Sequence, residues 1–233
     1  MEKESFELLR SIERSWWYRG RAGAIRAVLG RVGQKGMMVL DYGAGFGGMC
    51  AELAPYGQVF AFETDPRAYA SARQRGYLEL YNDVESALGQ SYDLIALFDV
   101  LEHLPDDRAS LIQMRESFSK SGKIILTVPA MPFLWSVHDT SHHHFRRYTH
   151  SSLRRVLEEA GYTVEYMSYW NMLLFVPAAL VRLFGSAGDG SLRLSPIVDA
   201  LLYRIIRVEV FLMRFIRLPI GISLVALVHT KNM

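Results

Sequence analysis

A single cysteine, Cys50, occurs among the 233 residues, so no intramolecular disulfide can form and a reducing cytoplasm is the expected setting. Long apolar runs are missing too. The longest, across residues 172–183, is interrupted by Pro177 and Arg182 and falls short of the roughly 18 residues that a membrane-spanning helix needs. The start, Met1-Glu2-Lys3-Glu4, has neither the basic end nor the apolar stretch of a secretory signal. Charge of one sign is also scarce. Lys and Arg total 26 against 24 Asp and Glu, and a net charge of +2 gives no field that would steer the chain to nucleic acid, so no nucleic-acid partner is expected. There is no internal repeat and no low-complexity linker.

What is present is enough apolar sequence for one continuous core, since half the residues are hydrophobic, and the chain reads as a single domain over 1–233. Phe6, Leu9, Ile12 and Trp16 share helical spacing across residues 4–17, and a second helix is predicted over 20–29, giving a helical segment at 1–32. From residue 37 to 168, short apolar runs alternate with helical stretches. Strands are predicted at 37–41, 58–63, 78–81, 92–98 and 123–128, helices at 66–75 and 106–118, with Ser121-Gly122 as the turn before the fifth strand. This alternation specifies an α/β fold with a parallel sheet and helices on both faces. A helix at 151–160 capped by Gly161, a sixth strand at 163–168 and a last strand within 221–230 bring the total to seven. Between those last two strands lies an apolar helical insert, 169–220.

The loop after the first strand reads Asp41-Tyr42-Gly43-Ala44-Gly45-Phe46-Gly47-Gly48. Its glycines let the backbone approach a ligand closely. Gly43, Gly45 and Gly48 fit the dinucleotide pattern GxGxxG, while Asp41, Gly43, Gly45 and Gly47 fit the acidic pattern DxGxGxG. An aspartate is a poor neighbour for a pyrophosphate and a good one for the cationic sulfonium and amino groups of S-adenosylmethionine. Glu63, ending the second strand, can accept both hydroxyls of a ribose in either case.

Together with Phe98-Asp99-Val100-Leu101-Glu102-His103-Leu104 after the fourth strand, and with residues 122–129 and 146–161, this loop resembles the class I S-adenosylmethionine-dependent methyltransferases. The likeness is to the type 11 and type 12 group, similar to the ubiquinone-biosynthesis O-methyltransferases. It implies a Rossmann-like, seven-stranded, mostly parallel sheet with an antiparallel last strand, and S-adenosylmethionine as cofactor with S-adenosylhomocysteine as product. Asp41, Gly43, Gly45 and Gly47 would approach the methionine part and Glu63 the ribose. Asp83 would approach the adenine, and Phe98 and Asp99 would complete the cofactor set. The stretch Trp16-Trp17-Tyr18-Arg19 resembles the same group's opening segment, a lid over the cleft. An NAD-dependent oxidoreductase and a non-catalytic adenosine-cofactor binding module are the alternatives.

Methyl transfer is an in-line displacement that needs an aligned nucleophile, sometimes a base, and exclusion of water. Candidates belong at the carboxyl ends of the strands. His138 and His144 are the candidate bases, and His103, Arg146, Arg147 and Tyr148 the candidate substrate contacts. Three adjacent histidines, His142 to His144, cannot easily all face one ion, so no metal is expected.

In the insert, Ser195 and Pro196 are suited to begin a helix and Pro219 to end it. On a helical wheel Arg204, Arg207, Arg214 and Arg217 share an arc opposite Leu201, Ile205, Val208, Leu212, Phe215 and Ile216. The expectation is a helical cover over the acceptor pocket, a small and lipophilic or lipid-like acceptor, and peripheral contact with the inner face of a membrane.

Overall fold

The computed structural model describes residues 13–184 and 195–231, so most of the helical spacing at 4–17, with Phe6, Leu9 and Ile12, lies outside the described residues. Helix α1 (Trp16–Leu29) begins where the Ser15 hydroxyl accepts from the Tyr18 amide at 3.3 Å. It buries Ala24, Ile25, Val28 and Leu29 and packs across the strands that follow later in the chain.

The strands are β1 (Met37–Tyr42), β2 (Gly57–Phe62), β3 (Leu80–Tyr81), β4 (Tyr92–Phe98), β5 (Phe118–Pro129), β6 (Tyr162–Trp170) and β7 (Ser223–Thr230). They form one sheet in the order β3-β2-β1-β4-β5-β7-β6, in which β7 alone runs antiparallel to its neighbours. This is the predicted seven-stranded, mostly parallel sheet. Val39, Leu40, Leu94, Ile95, Leu97, Ile125 and Leu126 are fully buried, as their unbroken apolar runs require when helices cover both faces. Each fully buried Leu or Ile is worth roughly 1.5–3 kcal/mol relative to exposure.

Between and after the strands lie α2 (Cys50–Leu53), α3 (Pro66–Ala72), α4 (Val84–Leu88), α5 (Asp107–Glu116), α6 (Val137–Ser141) and α7 (His150–Glu159). Gly161 follows α7 with φ of 89°, the left-handed turn that the capping reading requires. Two predictions fail locally. Residues 121–122 are not a turn, because β5 begins at Phe118 and its register against β4 shifts between Tyr92 and Leu94, which absorbs the extra residues as an irregularity. The helix behind the glycine loop is a four-residue α2 running into a 3-10 turn at Pro55, since that proline has no amide to continue the ladder.

The insert carries α8 (Phe175–Phe184) and α9 (Pro196–Leu212). Ser195 caps α9 and Pro196 takes its first position, as predicted. The wheel is wrong about which face packs. Ile206, Glu209 and Met213 are the buried residues, while Leu201, Val208, Phe215 and Ile216 are exposed beside Arg204, Arg207 and Arg214. Two contacts set that rotation. A Cβ on Gly20 would lie 2.6 Å from the Ile206 Cγ2, so α1 and α9 touch where only a glycine fits. The buried Glu209 carboxylate accepts the backbone amides of Asn171 and, at 2.9 Å, Leu173, just beyond β6. Glu209→Ala would strand two amides and should destabilise the protein by about 2–3 kcal/mol in urea unfolding, with Glu209→Gln milder. An unchanged midpoint for the alanine variant would mean the insert is held by something else.

Candidate functional site

The carboxyl ends of the parallel strands share one edge of the sheet, and the backbone there is unusual. Asp99, Met131 and Asn171, just past β4, β5 and β6, all have left-handed φ near 60°. Non-glycine residues adopt that region at a cost of order 1–3 kcal/mol and keep it where the surroundings demand it. These turns redirect the chain sharply and crowd polar side chains over the strand ends.

On the β1 side, Gly43 and Ala44 donate their amides to the Phe62 carbonyl at 2.8 and 3.0 Å, which folds the glycine loop over the end of β2. Glu63 locks it there, accepting from the Gly45 and Asp65 amides at 2.7 Å each. A Cβ on Gly43 would meet Val100 at 2.6 Å, whereas one on Gly45 would meet nothing within 4 Å. The loop is tight beneath and open above Gly45, which is the cradle a ligand needs. Asp41 is buried at the end of β1 and accepts from the Tyr77 hydroxyl at 2.6 Å. Burial raises its carboxyl to about 6, against the lowering effects of Tyr77 and Arg21. Phe98 is buried at the end of β4. Asp83, at the far edge beyond β3, is exposed and caps α4 through the Ser86 amide at 2.7 Å.

Helix α1 lies over this cleft. Arg21 pairs with Asp99, which also accepts from the Thr127 hydroxyl at 2.9 Å. Tyr18 stands above Gly48, Glu13 pairs with Arg75 at 2.6 Å, and Trp17 packs on Trp170 with ring centroids 6.2 Å apart. Trp17 belongs partly to the core and Tyr18 faces the cleft, so the aromatic cluster is both packing and cover.

The second pole sits past β4 and β5. Asp139 is fully buried and accepts from Arg147 Nε at 2.7 Å, His144 Nδ1 at 3.0 Å and the Ser136 amide at 2.9 Å. Burial would raise its carboxyl, but the bonds from His144 and Arg147 outweigh that and hold it well below the usual range. With Nδ1 engaged by Asp139, the His144 ring lies nearly perpendicular to that of His103, with centroids 4.6 Å apart. Burial and the neighbouring His144 lower the pKa of His103 and favour a neutral imidazole. Beside them Glu102 is fully buried with neither carboxylate oxygen hydrogen-bonded. Burial, then the nearby Asp99, push its carboxyl far above the ordinary range.

Other predicted contacts are turned inward. Arg147 is buried, its remaining reach spent on the Ala130 carbonyl at 2.9 Å. Arg146 pairs with Asp107 at 2.9 Å and donates to the Pro105 carbonyl, and the buried Tyr148 donates to Asp107 at 2.7 Å. Arg146 and Tyr148 thus tie the loop after β5 to α5, and Arg147 ties it to Ala130 at the end of β5. His138 packs its ring on His142 at 4.0 Å, further from Glu102's corner than His144. Sequence reasoning passed over Arg21, Glu102 and Asp139 as site residues. Only Asp139 had a local signal, the Ser136-x-x-Asp139 capping box that opens α6.

A seven-stranded sheet with one antiparallel strand next to its edge, and an acid buried at the end of the first strand beneath a glycine loop, is the architecture of a class I S-adenosylmethionine-dependent methyltransferase. Residues 16–166 match the model of the methyltransferase domain family, and the chain belongs to that family. A search of curated proteins finds no match. Among solved structures, the magnesium protoporphyrin IX methyltransferase of Synechocystis PCC 6803 with bound SAH aligns with a TM-score of 0.58 at 13% identity, covering 98% of this chain and 95% of that one. The YcgJ protein of Bacillus subtilis gives 0.59 at 14% identity over 90% and 98%. A SAM-dependent methyltransferase from Archaeoglobus fulgidus gives 0.53 at 17% over 89% and 93%. At these identities the likeness is one of fold. The family match is to the domain as a whole and carries no narrower kinship with the ubiquinone-biosynthesis enzymes.

Gly45 holds a left-handed φ of 55°, so Gly45→Val strains the loop although the space above it is open; it should lower the Tm of the ligand-free chain and abolish the further rise that S-adenosylhomocysteine produces. Glu63→Ala should weaken that rise by freeing the loop as well as removing an acceptor. A full shift in both variants would move the cofactor away from this loop.

Proposed function

We propose that the chain transfers a methyl group to a small lipophilic acceptor that it meets at an anionic membrane surface. The observation that carries this reading is the outer face of α9. Ile197 is 82% and Phe215 71% exposed, and with Leu201, Val208 and Phe211 they alternate with exposed Arg204, Arg207 and Arg214. Apolar side chains among arginines suit the boundary between headgroups and acyl chains, where each cation contributes about 1 kcal/mol. On α8, Val176 and Leu180 are exposed as well, and Phe175 meets Phe133, beyond β5, at 6.5 Å between ring centroids. The insert therefore flanks the acceptor pole while presenting a greasy, cationic outside. Among the described residues no helix is long and apolar enough to cross a membrane.

S-adenosylmethionine, when bound, supplies an electrophilic methyl group on a sulfonium. In this reading the Asp41 carboxylate holds the amino group of its methionine part, Gly43, Gly45 and Gly47 admit it, Glu63 accepts from the ribose, and Asp83 reaches the adenine. Tyr18 and Arg21 cover the cleft and exclude water, which lets the local charges act at full strength. His144, fixed by Asp139, engages the acceptor's reactive group next to His103, and His138 lines the approach.

The test is sedimentation with vesicles of mixed phosphatidylglycerol and phosphatidylcholine, alongside transfer of labelled methyl from S-adenosylmethionine into an apolar lipid extract. Binding at low salt that weakens with added salt, is lost in Phe211→Asp/Phe215→Asp, and accompanies label in the lipid fraction is the expected result. Label only in water-soluble acceptors, or no vesicle binding at low salt, would overturn it.

Asp41 adds a pH dependence. Its folded carboxyl stays protonated up to about 6, so the stability that proton gives the ligand-free chain is lost as pH rises through that value. A cationic amino group needs the ionised form. S-adenosylhomocysteine affinity should therefore drop about tenfold per pH unit below a pH of about 6 and level off above it, in titration calorimetry. Asp41→Asn should flatten the profile.

A further inference from the structure

We infer that Glu102, His103 and His144 form a binding site for one divalent transition-metal ion, open toward the acceptor pocket, where the ion would take an oxygen of the acceptor as a further ligand. The inference deepens the reading of this pole as the acceptor side, although its test does not depend on methyl transfer. One ligand atom from each of the three residues lies within 4.8 Å of the others. Tetrahedral zinc with bonds of 2.0–2.1 Å sets its ligands roughly 3.3 Å apart, a contraction that small side-chain rotations at Glu102 and the two rings can make.

Three features of the cluster point to an ion. First, both oxygens of Glu102 are buried without a hydrogen bond, which costs of order 1–3 kcal/mol or more for a group left in that condition. A cation between them and the two rings would satisfy the carboxylate. Second, His144 gives Nδ1 to Asp139 at 3.0 Å, which fixes the tautomer and leaves the opposite nitrogen as a lone-pair donor. A carboxylate behind a ring in this way is the usual support of a metal-bound histidine. Third, neither nearby cation bonds to Glu102, although Arg21 and Arg147 both favour its charged form through space. Arg147 is held by Asp139 and Arg21 by Asp99. Two imidazoles and one carboxylate suit zinc, cobalt, manganese or iron, and three protein ligands leave positions for an incoming oxygen.

The site also accounts for the histidine run. Only His144 of the three adjacent histidines takes part, and its co-ligands Glu102 and His103 come from the 3-10 turn after β4, 42 and 41 residues earlier. On the ion, an acceptor hydroxyl would lose its proton to solvent water more readily, as metal-bound water does, and its oxygen would bond to the methyl carbon as the sulfonium C–S bond breaks, leaving S-adenosylhomocysteine. His144 then acts as a ligand, not as the proton acceptor.

The experiment is titration of the full-length protein, stripped with chelator, with cobalt(II) chloride, read by visible absorption and by calorimetry. One equivalent should bind with the absorption bands of a low-coordinate nitrogen and oxygen site. Glu102→Gln and His103→Ala should each weaken binding at least tenfold. His142→Ala/His143→Ala, which removes two exposed loop histidines, should leave it unchanged. S-adenosylhomocysteine affinity, measured on every variant, shows that each is folded and keeps failure of the metal site distinct from failure of the cofactor reading. Absence of stoichiometric binding, binding that survives loss of Glu102 and His103, or binding lost with His142 and His143 would each overturn the proposal.

Discussion

Burying Asp139 without losing its charge is the condition on which the loop after β5 depends. An isolated carboxylate in that position would be driven to protonate. Arg147 and the Ser136 amide supply the compensation, and the charged form then orients His144. Arg147 extends the constraint to the Ala130 carbonyl at the end of β5, and Arg146 and Tyr148 extend it to α5. A loop rich in histidine and arginine is thereby held as firmly as a helix.

Two carboxylates at one pole meet opposite fates. Asp139 is matched by donors on every side and stays ionised, whereas Glu102, one short segment away, is buried with none. The difference follows from where each sits. Asp139 lies at the third position of α6, where the Ser136 amide points at it, while Glu102 belongs to a tight 3-10 turn and neither of its carboxylate oxygens finds a hydrogen-bond partner. A fold does not leave such a group uncompensated without consequence, because the missing partner costs as much as several good contacts contribute.

How much of this was legible in the sequence varies with the range of the interaction. The seven strands were readable from apolar runs that need no partner to identify, and the antiparallel last strand came with the resemblance. Asp41, Glu63 and the glycines were readable because their spacing is local. The inward turn of Arg147 and Tyr148 was not, since an exposed and a buried arginine look alike until the acceptor, here 8 or more residues away, is placed. Nor was the rotation of α9, because Glu209 and Ile206 are chosen for the core by Asn171, Leu173 and Gly20, all far off in sequence. A wheel ranks faces by hydrophobicity, and here a buried acid outvoted an exposed Phe215.

That rotation links the outer face of the insert to the cofactor cleft. Asp199 of α9 accepts from Arg19 at 2.5 Å and from the Trp16 amide at 2.8 Å, Tyr203 stacks under the Arg19 guanidinium at 3.9 Å, and Ile206 seats on Gly20. All three partners, Trp16, Arg19 and Gly20, belong to α1. The same helix sends Arg21 to Asp99 and Tyr18 over Gly48. With no side chain at Gly20 to yield, α9 cannot shift against α1 without opening a gap or a clash, so the two helices move together or not at all. A surface that engages Leu201, Phe211 and Phe215 on the far side of α9 therefore bears on the helix that lies over the glycine loop.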